Sequence, residues 1–198
     1  MKYIILGYLA LYWAIWLHEV GHSYMYKKYG CKSESFLKVT VPFYLFFSTP
    51  MPIDVEKASV LNKKQIFNVS IAGIAVNMIL GVVSTIILSF TTIENEINLT
   101  LLYFFAVFNF TEAATYLVIN NIFLASDMKA IASYSKIVRI VGFIIGIVAS
   151  ASIIYLIATA PLLISTPLAI GSISIALLMS VARIFFEFKN KSIKSNNC

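Results

Sequence analysis

Five long apolar stretches constrain the fold of this chain more than any other feature of its sequence. They run approximately over 3–26, 67–90, 99–125, 138–159 and 162–186, and each can cross about 30 Å of hydrocarbon as a helix rising about 1.5 Å per residue. Apolar residues make up 60% of the 198 residues and charged residues only 12%, too little polar surface for a soluble globular enzyme. We therefore expect an all-α polytopic membrane protein with about five transmembrane helices, because lipid offers no partner to unpaired backbone groups.

The distribution of basic residues predicts the orientation of these helices. All 15 Lys and Arg residues except Lys2 lie between the first and second stretches, between the third and fourth, or at or after the end of the fifth. Because cytoplasmic loops are enriched in Lys and Arg, we expect the N-terminus outside the cell and the C-terminus in the cytoplasm. The formal net charge of +6 reflects this topology, and we expect no nucleic-acid partner.

The segment 36–54, FLKVTVPFYLFFSTPMPID, is apolar but differs from the five stretches. Pro42, Pro50 and Pro52 make a continuous spanning helix unfavourable. The β-branched and aromatic residues of 39–47 favour a short β-like strand or hairpin at the cytoplasmic interface. A loop that dips into the membrane is an equal alternative.

The only two histidines of the chain lie four residues apart near the cytoplasmic end of the first stretch. They belong to HEVGH, formed by His18, Glu19 and His22 with two intervening residues. On a helix this spacing places both imidazoles on one face, where they can bind one zinc ion, with Glu19 beside the metal to accept a proton from a water molecule. Three ionisable groups within one span are costly to insert, which favours a functional site.

A catalytic zinc site of this kind needs a third protein ligand. Cys31 lies in a basic loop and Cys198 is the last residue, so a carboxylate is the better candidate. With Glu19 assigned as the base and the acids of the loops and the tail set aside, two acids remain, Glu112 and Asp127. We favour Asp127 because it lies at the cytoplasmic end of the third stretch, whereas a regular helix would place Glu112 about 22 Å further out.

Three motifs of the chain resemble those of the site-2 proteases, a family of intramembrane zinc metalloproteases. HEVGH is similar to the first family motif, and IAGIAVN, with Gly73 and Asn77, is similar to the family's glycine-then-asparagine helix. The stretch from Asn120 to Asp127 resembles the family's Asn…Asp motif, although it has no proline and Met128 stands where the family has glycine. Either Asn120 or Asn121 can be the motif asparagine.

The resemblance implies a zinc metalloendopeptidase that cleaves a membrane protein or a peptide precursor in a bacterial or archaeal cell membrane. It implies zinc ligands His18, His22 and Asp127, Glu19 as the catalytic base, and Asn77, Asn120 or Asn121 as groups that support the substrate. We expect a metalloprotease core over 1–135, two additional helices over 136–188 and a polar tail over 189–198. The alternative is a non-proteolytic membrane pseudoenzyme, such as a chaperone, an immunity component or a transport component, that keeps the fold.

Overall fold

The computed structural model describes residues 1–45 and 48–196, and over these residues the chain is all-α. Five helices are long and apolar enough to cross a membrane, as the sequence predicts, and they indicate an integral membrane protein. The long helices are α1 (Lys2–Lys28), α3 (Lys63–Phe90), α4 (Glu96–Ala114), α7 (Lys136–Thr159) and α8 (Leu162–Asn196). The short helices are α2 (Val55–Ser59), α5 (Asn121–Phe123) and α6 (Asp127–Tyr134), and a π-helical segment over Thr115–Asn120 joins α4 to α5.

Short polar residues set the first turns of the long helices. Asn62 accepts a hydrogen bond from the Gln65 amide while the Gln65 side chain accepts one from the Asn62 amide, each at 3.0 Å, which forms a capping box for α3. Asn95 caps α4 in a similar way, through the amides of the first turn. These bonds satisfy helix N-terminal amides that have no partner within the helix.

Helix α4 lies at the centre of the bundle and α7 at its edge. In an 18-residue apolar window of each span, 72% of the residues are buried for the span Glu96–Phe123, which contains α4, compared with 17% for α7. The core forms where aromatic residues of α4 pack against small and aliphatic residues of α1, α7 and α8, namely Phe104, Phe108, Phe110, Ala10, Ala14, Ala149, Leu156, Ile164 and Leu168. Four polar residues of α4 are therefore buried inside the bundle, namely Thr100, Asn109, Thr111 and Glu112.

Two glycines allow α1 and α3 to approach closely at the level of the histidines. A Cβ atom on Gly21 would lie 2.8 Å from the Ala72 carbonyl oxygen of α3. A Cβ atom on Gly73 would lie 2.5 Å from Nε2 of His22 and 2.8 Å from Nε2 of His18. Small residues at such a crossing let membrane helices pack backbone to backbone.

The predicted β-like segment is not a strand over the residues that the structure describes. Thr40 and Thr49 form one isolated antiparallel bridge, with reciprocal hydrogen bonds of 3.0 and 2.9 Å. Pro42 has no amide hydrogen with which to extend the pairing on one side. On the other side, the Lys38 amide donates to the Ser35 carbonyl instead. Phe46 and Phe47, the last residues of the predicted strand, lie outside the described residues.

This segment instead forms an irregular loop that folds back along α1. The Tyr8 hydroxyl, two turns from the start of α1, donates to the Phe43 carbonyl at 2.7 Å. The buried Leu45 packs with Ile15 of α1 and Met179 of α8. These contacts place the loop against the long helices α1 and α8.

A buried lysine holds the base of the loop. The Lys32 ammonium donates to the carbonyls of Lys38, Pro50 and Pro52 at 2.7, 2.8 and 2.9 Å. Burial lowers the pKa of Lys32 from its ordinary value. Three carbonyl partners match the three donors of a lysine ammonium group, so Lys32 fixes the two ends of the loop to each other.

The third span does not continue as a helix to Asp127. Leu124 adopts a left-handed conformation with φ of 51°, and Ser126 also has a positive φ of 52°. The chain reverses between these residues, and α6 begins at Asp127. Asp127 therefore reaches the bundle interior from the first turn of α6 and not from the end of a straight span.

Candidate metal centre

The structure brings His18, His22 and Asp127 together, and each offers one ligand atom within 4.8 Å of the other two. His18 and His22 are one turn apart on α1, and both are buried. The two histidine Nε2 atoms are 2.9 Å apart. Oδ2 of Asp127 lies 3.4 Å from Nε2 of His22 and 3.8 Å from Nε2 of His18. Helices α1 and α6 therefore supply a group that could hold a metal ion.

The separations of these three atoms fit zinc. In a tetrahedral site with metal–ligand bonds of about 2.0–2.1 Å, neighbouring ligand atoms lie about 3.3 Å apart. The three separations, 2.9, 3.4 and 3.8 Å, bracket that value. Two imidazoles and one carboxylate are also a donor set found in zinc enzymes, which leaves a fourth position for water.

The two histidines differ in how their rings are oriented. Nδ1 of His22 donates to the Val69 carbonyl of α3 at 2.7 Å, which leaves Nε2 of a neutral ring with its lone pair directed at the cluster. Nδ1 of His18 is buried and has no hydrogen-bond partner among the described residues. The His18 ring is instead stacked on Tyr116, with centroids 4.8 Å apart and an interplanar angle of 12°.

Two carboxylates lie at the centre in different environments. Burial acts to raise the pKa of Asp127, but the adjacent His22 and His18 imidazoles more than offset it, so its pKa lies below the ordinary value. Glu19 is buried next to the histidines, and its Oε2 atom has no hydrogen-bond partner among the described residues. One carboxylate is thus tied to the imidazoles, while the other retains a free acceptor oxygen.

Two cavities flank the metal group. One of about 290 Å³ is lined by His18 and Glu19 of α1, the loop after α1, the α4 side of the bundle and α8. The other, of about 200 Å³, is lined by Glu19, His22 and Asp127 among others. Glu19 lines both, so it lies in the wall between the two cavities.

Glu112 lies nearer to this centre than a straight helix allows. It lines the larger cavity together with His18 and Glu19. A regular helix from Glu112 to Asp127 would instead separate the two residues by about 22 Å along its axis. The difference arises because the chain reverses after Phe123, so that Asp127 folds back beside the site. Glu112 is not part of the metal group, and its Oε2 accepts a hydrogen bond from Nη2 of Arg183 at 2.7 Å.

The three asparagines expected to support the substrate differ in their contacts. The Asn121 side chain accepts from Nε of Arg139 at 2.8 Å and donates to the Arg139 carbonyl at 3.0 Å, so it joins α5 to α7. Asn77 and Asn120 are fully buried, and neither has a side-chain hydrogen bond among the described residues. Asn121 is therefore engaged in structure, while the other two amides retain unused donors and acceptors.

Sequence reasoning missed two residues of the cavity wall, Tyr116 and Arg183. Arg183 counts as one of the cytoplasmic basic residues in the sequence pattern, but its side chain is only 16% exposed and points to Glu112 inside the bundle. An ionisable residue within a span is a functional candidate by default, and this signal marks Arg183. No sequence signal marks Tyr116, one of 11 tyrosines.

Comparison of the chain with protein-family models, with curated proteins and with solved structures gives no match.

Proposed function

We propose that this chain is an intramembrane zinc metalloendopeptidase of the site-2 protease type. The observation that carries the proposal is the meeting of both HEVGH histidines with Asp127 in one buried group, with Glu19 at the wall of two adjacent cavities. His18, His22 and Asp127 would hold the zinc ion. When bound, zinc supplies a Lewis acid that polarises a carbonyl and makes a water molecule more acidic.

Glu19 performs the proton transfers of peptide hydrolysis. Its free carboxylate oxygen accepts a proton from the attacking water, whose oxygen bonds to the scissile carbonyl carbon. The same proton then passes to the amide nitrogen as the C–N bond breaks, which releases an amine and a carboxylic acid. Burial beside the histidines keeps this carboxylate within reach of the group that holds the metal.

The substrate is a membrane-embedded or membrane-associated peptide. The larger cavity lies among three of the apolar helices and is bordered by the loop after α1 through Leu45 and Ser48. A substrate segment in this cavity must be unwound locally, because a helix does not expose its peptide groups to a nucleophile. Asn77 and Asn120 carry unpartnered amides of the kind that bonds an unwound backbone, but both are fully buried and neither lines this cavity.

A Glu19→Gln variant tests the proteolytic function. The amide keeps the shape of the side chain but cannot accept the proton, so we expect zinc to be retained and cleavage to fall at least about 100-fold. Cleavage is measured as new peptide termini, detected by mass spectrometry in membranes of cells that express either protein. Equal cleavage by wild type and Glu19→Gln would contradict the mechanism. A zinc-loaded wild type that produces no new termini would favour the non-proteolytic alternative.

Reporter fusions test the proposed topology, in which the C-terminus is cytoplasmic. Because the basic residues cluster on one side, we expect a cytoplasmic reporter to be active after Lys191 or within 55–64, and inactive near Asn95. The opposite pattern would place the metal group near the outer face of the membrane.

A further inference from the structure

Tyr116 lies between the metal group and an arginine of the last span. Its ring is stacked on the His18 imidazole at a centroid separation of 4.8 Å. The guanidinium carbon of Arg183 lies 3.9 Å from the centroid of the same ring. Three planar groups from α1, the π-helical segment and α8 are thus in contact with one another through Tyr116.

The Arg183 guanidinium is itself held in place on its other side. Nη2 donates to Oε2 of Glu112 at 2.7 Å, and Nη1 donates to Oγ1 of Thr115 at 2.9 Å. The Glu112 side chain is 2% exposed, so this charge pair is buried and well fixed. A planar guanidinium can make these bonds and still lie flat on an aromatic ring, which an ammonium cannot do.

The contrast between the two histidines shows what this arrangement accomplishes. A metal-binding histidine is normally oriented by a hydrogen bond from its second ring nitrogen. His22 has such a bond, to the Val69 carbonyl. Nδ1 of His18 has none among the described residues, and the Tyr116 ring is instead stacked on the face of the imidazole.

We propose that Tyr116 and Arg183 are positioning residues for the metal ligand His18. Tyr116 holds the imidazole by stacking, and Arg183 holds Tyr116 through its flat guanidinium, which Glu112 and Thr115 keep in place. The last span, expected from sequence to be additional to the core, is in this way part of the metal centre. The inference rests on the metal site of the proposed function and concerns how one of its ligands is oriented.

The test is Co²⁺ binding by the purified full-length chain, measured as affinity and as the visible absorption of the bound ion. Tyr116→Leu removes the flat ring, and we expect Co²⁺ to bind about 10–100-fold more weakly, with a shifted visible band. Tyr116→Phe keeps the ring and should behave as wild type. Arg183→Lys keeps a cation near Glu112 but loses the flat contact, so it should shift the band in the same direction as Tyr116→Leu.

Lys129→Gln is the matched control, because it removes a different ion pair to α8, a 2.6 Å contact with Glu187, without touching the stack. We expect the control to bind Co²⁺ as the wild type does. Wild-type affinity and absorption in both Tyr116→Leu and Arg183→Lys would overturn the inference while leaving the metal site intact. An equal loss in Lys129→Gln would overturn it as well, and a wild type that binds no Co²⁺ would overturn both proposals. If Tyr116→Leu does not fold, Arg183→Lys decides alone.

Discussion

Two clusters of ionisable side chains border the larger cavity, and they differ in whether their charges balance. On the α4 side, the Glu112 carboxylate and the Arg183 guanidinium cancel each other at 2.7 Å. On the α1 side, His18 and His22 meet the Asp127 carboxylate without any cationic side chain within the group. Because Nδ1 of His22 donates to Val69, Nε2 of that ring and the Asp127 carboxylate both present lone pairs to the group. A proton on Nε2 of His18 can bridge only part of the group, whereas a metal cation binds all three atoms.

This difference indicates where a cation belongs. A buried ion pair of opposite charges is complete, and removing one partner leaves the other charge buried and unpaired. The group of two imidazole nitrogens and one carboxylate oxygen is incomplete because it contains no fixed cation, and a divalent cation can bind all three atoms at once. We therefore expect metal at the His18–His22–Asp127 cluster and none at the Glu112–Arg183 pair.

The largest effect is expected from removing an imidazole of the incomplete cluster. His18→Ala or His22→Ala removes a direct ligand. Zinc affinity should therefore fall by more than the loss of about 100-fold that is the upper range for residues that only orient a ligand. Metal analysis of the purified variants, after a check that they are folded, measures this. Normal zinc content in a folded variant that lacks both imidazoles would show that the metal lies elsewhere.

A smaller effect is expected from neutralising one carboxylate in each cluster. Asp127→Asn removes a charged ligand and should weaken zinc binding about 10–100-fold. Glu112→Gln retains an oxygen that can accept from Arg183 and should leave zinc bound. The two variants are compared by competition with a chelator of known affinity. The reverse result, loss of zinc in Glu112→Gln alone, would mean that the two clusters have been assigned the wrong roles.

The smallest effect is expected from adding one methyl group beside the incomplete cluster. A Cβ on Gly73 would lie 2.5 Å from Nε2 of His22, so Gly73→Ala must push the imidazoles aside, and we expect zinc to bind about 10-fold more weakly. Gly142→Ala is the matched control on α7, since its Cβ would meet only Leu117, at an ordinary 3.4 Å. Equal zinc affinity in the two alanine variants would show that the imidazoles are not confined as described.

The spans and the histidine pair could be predicted from the sequence because both depend on local pattern. Apolar runs of about 20 residues specify helices in lipid, and the four-residue spacing of His18 and His22 places them on one helix face whatever surrounds them. The choice of Asp127 over Glu112 agrees with the group that the structure brings together. Its premise of a regular helix was wrong, because the reversal between Leu124 and Ser126 has no glycine or proline to mark it.

The remaining features of the site depend on tertiary contacts that no local pattern encodes. The loop after α1 has the composition of a strand, but Pro42 ends the pairing and Lys32 fixes the base of the loop. Arg183 fits the positive-inside pattern equally well whether it faces water or the bundle interior. Its contact with Tyr116 depends on how α8 packs against the π-helical segment.

Zinc X-ray absorption spectroscopy of the purified wild-type chain tests the central claim most directly. We expect about one zinc per chain, coordinated by two imidazole nitrogens and by oxygen at about 2.0–2.2 Å. His18→Ala should lose one imidazole contribution from the spectrum or lose the metal. A zinc-free protein, or a spectrum dominated by sulfur at about 2.3 Å, would contradict the assignment of His18, His22 and Asp127 as the metal ligands.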